Sequence, residues 1–156
     1  MPSLNGKNNY ALQLSDLGRE MSVQTIMFHN AVAERLGINA TDHRCFDYIL
    51  RMGGVTAGQL SRETGLTSGA ITGVIDRLQK AGFVRRQSDP EDRRKVVIIP
   101  LPDRLPEMER LFRSLGRNMG RIMSRYSVRE SEVLVDFLQR CSIIMRQANL
   151  KIRSGK

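Results

Sequence analysis

The chain contains no tryptophan, and aromatic residues make up only 5% of its 156 residues. Its core must therefore be built mainly from Leu, Ile, Val and Met, which favours helices. It also has no apolar run near the roughly 20 residues that a membrane-spanning helix needs. Its first residues, MPSLNGKNNY, lack the charged and then apolar pattern of a secretory signal peptide. These absences predict a globular protein that stays in the cytoplasm and does not enter a membrane.

Cysteine and histidine are also scarce, with two of each. Cys45 and Cys141 lie far apart in apolar segments without C-x-x-C spacing, so we expect both to be reduced, buried and hydrophobic in character. His29 and His43 are the only side chains whose ordinary pKa lies near neutrality, and no Ser/His/Asp, Cys/His or metal-ligand spacing surrounds them. The sequence therefore predicts no enzyme, no metal site and no cofactor.

Negative charge is in short supply, because 25 Lys and Arg residues face 16 Asp and Glu residues and leave a formal net charge of +9. Residues 1–66 are balanced, so the excess lies in residues 67–156. A surplus of this size suggests a polyanionic partner, either nucleic acid or an anionic membrane surface. Charge alone does not distinguish such a partner from a solvated basic face.

Apolar residues recur at helical spacing in the first third of the chain. They predict a long helix over residues 14–36 that ends at Gly37, and Thr41 is a good N-cap for a second helix that ends before Gly53. The apolar face of the first helix comprises Leu14, Leu17, Met21, Phe28, Val32 and Leu36.

Two further N-caps follow in quick succession. The run TAGQ at residues 56–59 has the spacing of a capping box, so a short helix should begin there and end at Gly65. Thr67 can cap another helix that runs to Ala81, with Gly82 as its C-terminal glycine. Two short helices joined by a tight turn that contains glycine form a helix-turn-helix.

After Gly82 the pattern changes to short runs rich in β-branched residues. Residues 83–87 and 95–99 are typical of two strands, and the polar residues 88–94 between them form a long basic tip. Pro100 and Pro102 then end the hairpin. The sequence thus predicts a mainly α fold with a small β-hairpin wing.

The last third of the chain predicts two more helices. The first carries an apolar stripe from Met108 to Ile122. Ser127 opens a capping box for the second, whose apolar face runs from residue 134 to 148, and residues 151–156 are expected to fray.

The outer face of the Thr67 helix is small and polar. The apolar side comprises Ala70, Ile71, Val74, Ile75 and Leu78, and the outer side comprises Ser68, Gly69, Thr72, Gly73, Asp76 and Arg77. Such a face can enter a major groove and bring hydroxyls and backbone close to base edges. Close packing against a neighbouring helix explains the two glycines equally well.

Residues 55–101 resemble the winged helix-turn-helix of the MarR family of regulators. The likeness rests on the IDRL run at residues 75–78, the AGFV run at 81–84 and the DRR run at 92–94. The flanking helices match in number, length and order, so the resemblance covers roughly residues 14–150. Pro102 is a departure, since it replaces the usual cap of the following helix.

The resemblance implies one MarR-like domain. Residues 40–100 would form the DNA-binding lobe, and residues 10–38 and 103–150 a helical dimerisation lobe. It further implies a homodimer that binds double-stranded DNA at a pseudo-palindromic operator and regulates transcription, in the usual case as a repressor. Each subunit would place its Thr67 helix in the major groove and its wing in the minor groove.

The resemblance also assigns DNA contacts to Thr67, Ser68, Gly69, Thr72, Arg77, Asp92, Arg93, Arg94 and Lys95. Within this set Arg94 would enter the minor groove, Asp92 would orient the wing arginines, and Arg93 and Lys95 would contact phosphates. Without the DRR context, each wing charge would be interpreted as part of a solvated turn.

Family members often bind a small anionic or phenolic effector in a crevice beside the DNA-binding lobe. His29, His43, Arg44 and Tyr48 lie on the helices expected to border that crevice, although packing, capping or solvent exposure explains them equally well. Peroxide-sensing relatives carry a reactive cysteine near the start of the first helix, where this chain has none, so redox sensing is disfavoured. A sensor that has lost operator binding is a rival function, against which the basic wing argues.

Overall fold

A computed structural model describes residues 4–89, 91–92 and 94–155 of the chain, with side chains from residue 8 onwards. The chain divides into two compact units, Met1–Leu111 and Phe112–Lys156. The division of residues between a DNA-binding lobe and a dimerisation lobe stays a prediction.

Six helices and three short strands make up the fold, so the predicted mainly α architecture with a small hairpin is confirmed for the described residues. Their order is α1 (Leu4–Arg35), α2 (Ala40–Met52), β1 (Val55–Thr56), α3 (Ala57–Thr64), α4 (Ser68–Lys80), β2 (Val84–Ser88), β3 (Val96–Pro100), α5 (Leu105–Met123) and α6 (Val128–Arg153). A single 3-10 turn, Pro102–Arg104, precedes α5.

Three of the predicted helix starts are confirmed by their caps. The Thr56 hydroxyl accepts from the Gln59 N–H at 3.2 Å, while the Gln59 side chain accepts from the Thr56 N–H at 2.7 Å. Ser127 and Glu130 form the same reciprocal pair at the start of α6, and Thr67 accepts from the N–H of Ala70 at the start of α4. Each cap satisfies backbone donors that have no partner inside the helix.

The predicted start of the second helix is wrong by two residues, because Asn39 and not Thr41 is its N-cap. The Asn39 side-chain oxygen accepts from the N–H of Asp42 at 2.8 Å, and its amide donates to the Asp42 carboxylate at 2.9 Å. The Asn39 side chain has a separate carbonyl acceptor and amide donor, so it makes both contacts with Asp42 at once from the N-cap position.

Both predicted strands are shifted by one residue. The N–H of Phe83 donates to the carbonyl of Leu78 and closes the end of α4, so β2 starts one residue later. Likewise the N–H of Lys95 donates to Asp92 within the hairpin turn, so β3 starts at Val96. A third strand, β1, was not predicted from the sequence and forms the sheet order β1-β3-β2, with all pairs antiparallel.

The two ends of the helical framework also differ from the predictions. Helix α1 begins about ten residues before the predicted residue 14, and α6 continues to Arg153, so residues 151–153, which were expected to fray, are part of the helix. No helix among the described residues is both long and apolar enough to cross a membrane.

The core of the first unit lies under α4 and the sheet. Phe46 and Phe83 are completely buried, with ring centroids 5.0 Å apart. Around them pack the buried aliphatic side chains of Ile49, Leu60, Ile71, Val74, Ile75, Leu78, Val84 and Ile98. Burial of this many aliphatic side chains fixes the orientation of α4 and leaves its opposite side in solvent.

Arg104 joins three elements at the edge of this core. Its guanidinium lies 4.5 Å from the centroid of the Phe83 ring, donates to the carbonyl of Ala81 at 3.0 Å and pairs with Glu107 at 2.8 Å. It also lies 3.5 Å from the carbonyl of Leu36. Because Ala81 and Leu36 follow the ends of α4 and α1, a single cation interacts with two helix C-termini, where positive charge is favourable.

Candidate nucleic-acid interface

Helix α4 presents a narrow, exposed surface of small residues. Ile71, Val74, Ile75 and Leu78 are buried as predicted, but Ala70, assigned to the core side, is exposed. This correction widens the small face, which comprises Thr67, Ser68, Gly69, Ala70 and Thr72. The first turns of α4 thus expose hydroxyl groups and backbone with little side-chain bulk around them.

The helix-packing explanation of the two glycines is not supported. A Cβ atom added to Gly69 would meet nothing within 4 Å, and one added to Gly73 would approach only Nη1 of Arg77, at 3.3 Å. No neighbouring helix therefore contacts either position within the described part of the chain. Gly69 leaves the surface open, and Gly73 leaves room for a guanidinium that lies along the helix.

Arg77 is bound to a carboxylate that the sequence did not point to. Its Nε and Nη2 donate to the two carboxylate oxygens of Asp42 at 2.8 and 2.7 Å. The Asp42 side chain is only 2% exposed, whereas that of Arg77 is 53% exposed. The hydrogen bond to Asp42 raises the pKa of Arg77, so the guanidinium is fully charged. Nε and Nη2 of Arg77 thus join α4 to α2, and its Nη1 lies beside Gly73.

A second unpredicted contact joins the hairpin to α4. Arg86 on β2 donates to Asp76 and to Gln79, with both distances 2.6 Å. Asp76 is an exposed acid on the outer half of α4, and Arg86 offsets its negative charge. The hairpin is therefore held to the same helix that carries the small polar face.

The tip of the hairpin is shaped by two aspartates. Asp89 accepts from the backbone N–H groups of Glu91 and Asp92, and Asp92 accepts from the backbone N–H and the Nε of Arg94 at 3.1 and 3.3 Å. Asp92 also lies 3.5 Å from Nζ of Lys95. The Arg94 side chain is 93% exposed. The structure thus places Asp92 beside two of the wing cations named from the sequence, whereas Arg93 lies outside the described residues.

Comparison with known proteins decides the family. The model of the MarR family matches residues 36–95. The HTH-type transcriptional regulator YcgE of Bacillus subtilis is 35% identical over 147 residues, which cover 94% of this chain and 96% of that protein. The chain belongs to the MarR family. Members of this family are transcriptional regulators, and this chain is one of them rather than an enzyme.

Solved MarR structures share the fold at lower sequence identity. A MarR family protein from Bacillus stearothermophilus is 20% identical with a TM-score of 0.68, covering 89% of this chain and 97% of that one. A mutant MarR from E. coli, complexed with operator DNA, is 21% identical with a TM-score of 0.54, covering 85% and 96%.

Three of the four residues proposed for an effector line one cleft in this MarR chain. His29, His43 and Arg44 border a space of about 290 Å³ between α1 and α2, whereas Tyr48 does not. The other lining residues are Thr25, Ile26, Asn30, Ala40 and Asp47. The imidazole centroids of His29 and His43 lie 5.2 Å apart.

The groups around the cleft set its charge. Burial lowers the pKa of His43, the neighbouring His29 lowers it further, and Asp47 opposes the shift, so His43 is neutral at pH 7. Asp47 pairs with Arg51 at 3.1 Å, which offsets its negative charge. Among the described residues, no acid forms an ion pair with Arg44. Arg44 therefore supplies positive charge to the cleft.

The cysteines of this MarR chain are free thiols, of which Cys45 is buried and Cys141 only half-buried. Burial raises the pKa of Cys45 to about 11, so it is a thiol and not a reactive thiolate at neutral pH. No group of three or more His, Cys, Asp or Glu side chains in the described residues has the arrangement of a metal site.

Proposed function

We propose that this MarR-family regulator binds a pseudo-palindromic operator in the cytoplasm as a homodimer and represses transcription. Helix α4 of each subunit enters the major groove, and the wing follows the minor groove. Ser68, Gly69 and Thr72 approach the base edges, while the exposed edge of Arg77 contacts phosphate. Arg94 enters the minor groove, and Lys95 and Arg93 contact phosphates. The role of Arg93 rests only on its place in the family motif.

The observation that carries the proposal is the small polar face of α4 with the wing held beside it. A recognition helix needs low bulk near its N-terminal half so that backbone and hydroxyls reach the bases. Thr72 is exposed there, and its hydroxyl donates to the carbonyl of Ser68, so its oxygen can still accept a hydrogen bond. Arg86 holds β2 to α4, so helix and wing would meet DNA as one rigid surface.

The dimer is supported by the apolar side chains of the second unit. Leu115, Met119 and Ile122 on α5 are between 44% and 49% exposed. On α6, Leu138, Ile144 and Met145 are more than 60% exposed. Contiguous apolar faces of this extent mark an interaction surface, and closed two-fold dimers are the commonest soluble assembly.

Thr72→Glu tests the placement of α4. A carboxylate on this face would be repelled by DNA, so operator affinity should fall at least a hundredfold, while the folding stability stays within about 0.5 kcal/mol because the side chain is exposed. Gln13→Glu adds the same charge on an exposed part of α1 and serves as the control. Fluorescence anisotropy with a selected operator measures both variants. Equal affinities for the two variants would contradict the proposal.

We further propose that a small anionic effector occupies the cleft between α1 and α2 and releases the operator. Arg44 supplies the charge for a carboxylate, and His29 supplies a hydrogen-bonding neighbour. Benzoate is a suitable probe, since it combines a carboxylate with an aromatic ring. It should weaken operator binding by the wild type and leave binding by Arg44→Gln unchanged. An equal response of the two proteins would contradict the proposal that the effector binds in this cleft.

A further inference from the structure

Helix α5 carries a row of arginines that the interface described above does not use. Residues 110–129 contain six arginines and no Asp, Glu or Lys. Three of them, Arg113, Arg117 and Arg121, follow one another at intervals of four residues and are all exposed. We call these three the arginine ridge. At 1.5 Å per residue their positions rise by about 6 Å from one to the next along a single face of the helix.

The arginine ridge lies opposite the apolar stripe of the same helix. At 100° per residue, the ridge centres roughly 180° from the stripe that contains Leu115, Met119 and Ile122. When that stripe is covered in the proposed dimer, the ridge is therefore left in solvent. Ser114, Asn118 and Ser124 beside the ridge carry no charge, whereas Arg110 and Glu109 lie one helical turn before Arg113.

The ridge arginines differ from other exposed arginines in having no carboxylate partner. No ion pair involves Arg113, Arg117 or Arg121 within the part of the chain that the structure describes. By contrast, three other arginines each pair with an aspartate one helical turn away, namely Arg19 with Asp16, Arg51 with Asp47 and Arg140 with Asp136.

A row of like charges destabilises the helix that carries it. Like charges four residues apart repel each other, and the ridge contains two such pairs in succession. On α6, by contrast, Arg140 is compensated by Asp136 one helical turn away. The uncompensated row is therefore complementary to an extended array of negative charge supplied by another molecule.

We propose that the arginine ridge binds the phosphate backbone of duplex DNA without reading its sequence. This inference rests on the proposed dimer. Guanidinium groups match phosphate oxygens with two parallel N–H donors, which lysine does not. An anionic membrane is disfavoured because a surface helix anchors through an apolar face, and the dimer covers the apolar face of α5. The ridge side itself offers only polar residues and glycine.

The test compares two triple variants with the same loss of charge. The ridge variant is Arg113→Gln, Arg117→Gln and Arg121→Gln. The control variant is Arg19→Gln, Arg51→Gln and Arg140→Gln, at arginines that already have carboxylate partners. Each lowers the formal net charge of +9 by three. Binding to a selected operator and to a scrambled duplex of about 40 base pairs is measured from 50 to 300 mM salt, a range chosen because phosphate contacts weaken steeply with salt.

The ridge variant should bind both duplexes at least tenfold more weakly near 0.15 M salt. Its slope of log affinity against log salt should fall by about 0.9 for each phosphate that the variant no longer neutralises, or up to about 5 if every ridge arginine of a dimer contributes. The control should keep the wild-type slope. A third variant with lysine at the three ridge positions should retain most of the slope, which separates loss of charge from damage to the helix.

Three outcomes would overturn the inference. The slopes of the ridge and control variants could coincide, the lysine variant could fail like the glutamine variant, or the ridge could be needed only for binding to vesicles of phosphatidylglycerol and phosphatidylcholine. The proposed function fails separately, if the wild type binds the selected and scrambled duplexes equally well. In that case a difference in slope between the ridge and control variants would still show that the ridge contacts phosphates.

Discussion

The ion pair between Asp42 and Arg77 gives the sharpest prediction for stability. Asp42 is buried and receives two short hydrogen bonds from the guanidinium and one from Asn39. Arg77→Met retains most of the apolar stem and removes the fork, so the carboxylate loses two of these three side-chain donors. Removing one partner of a fully buried pair costs about 3–5 kcal/mol. Because Arg77 is half exposed and Asn39 remains, we expect about 2 kcal/mol.

The measurement is urea unfolding at a fixed protein concentration, since the stability of a dimer depends on concentration. Arg77→Lys keeps the charge but not the fork and should cost about half as much as Arg77→Met. In an Asp42→Asn background, where no buried charge needs compensation, Arg77→Met should cost less than about 0.5 kcal/mol. An Arg77→Met cost that is the same in both backgrounds would refute the assignment of this pair as the link between α2 and α4.

Three further predictions concern other parts of the molecule. Arg104→Ala should lower the stability by about 1–3 kcal/mol and Glu107→Gln by less, because Arg104 also contacts a carbonyl and an aromatic ring; equal losses in thermal unfolding would contradict this. Because burial lowers the pKa of His43, the wild type should lose stability as the pH falls from about 7.5 to 5, and His43→Asn should lose less, as urea unfolding at each pH will show. Arg94→Ala should flatten the preference between A·T-rich and G·C-rich flanks by about 1–3 kcal/mol, whereas Lys95→Ala should weaken binding to both flanks equally; titration of both duplexes decides, and an equal loss for Arg94→Ala excludes the minor-groove role.

The features that the sequence predicts well are those decided within one helical turn. The capping boxes at Thr56 and Ser127 and the cap at Thr67 each depend on residues three positions apart, so the sequence alone contains the whole interaction. The start of α2 shows the limit of such reasoning, since Asn39 and Thr41 are both good caps. Asn39 is the N-cap of α2, and its amide also donates to the Asp42 carboxylate.

The features that the sequence does not predict depend on distant partners. Strand β1 is only two residues long and exists through its pairing with Val97 and Ile98. The partners Asp42 and Arg77 are 35 positions apart, and Arg86 reaches Asp76 only once the hairpin has folded beside α4. Tyr48 fails to line the cleft because helix phase, and not position on α2 alone, decides which side chains face α1.

Selection of bound sequences from random duplex DNA tests whether a dimer reads its operator through two α4 helices. A dimer that places one α4 helix in each of two major grooves should select an inverted repeat whose half-sites lie about one helical turn, or 10–10.5 base pairs, apart. The selected positions should lose their information content when Thr72→Glu is used in place of the wild type. Recovery of an asymmetric site, or of no preferred sequence at all, would contradict the account.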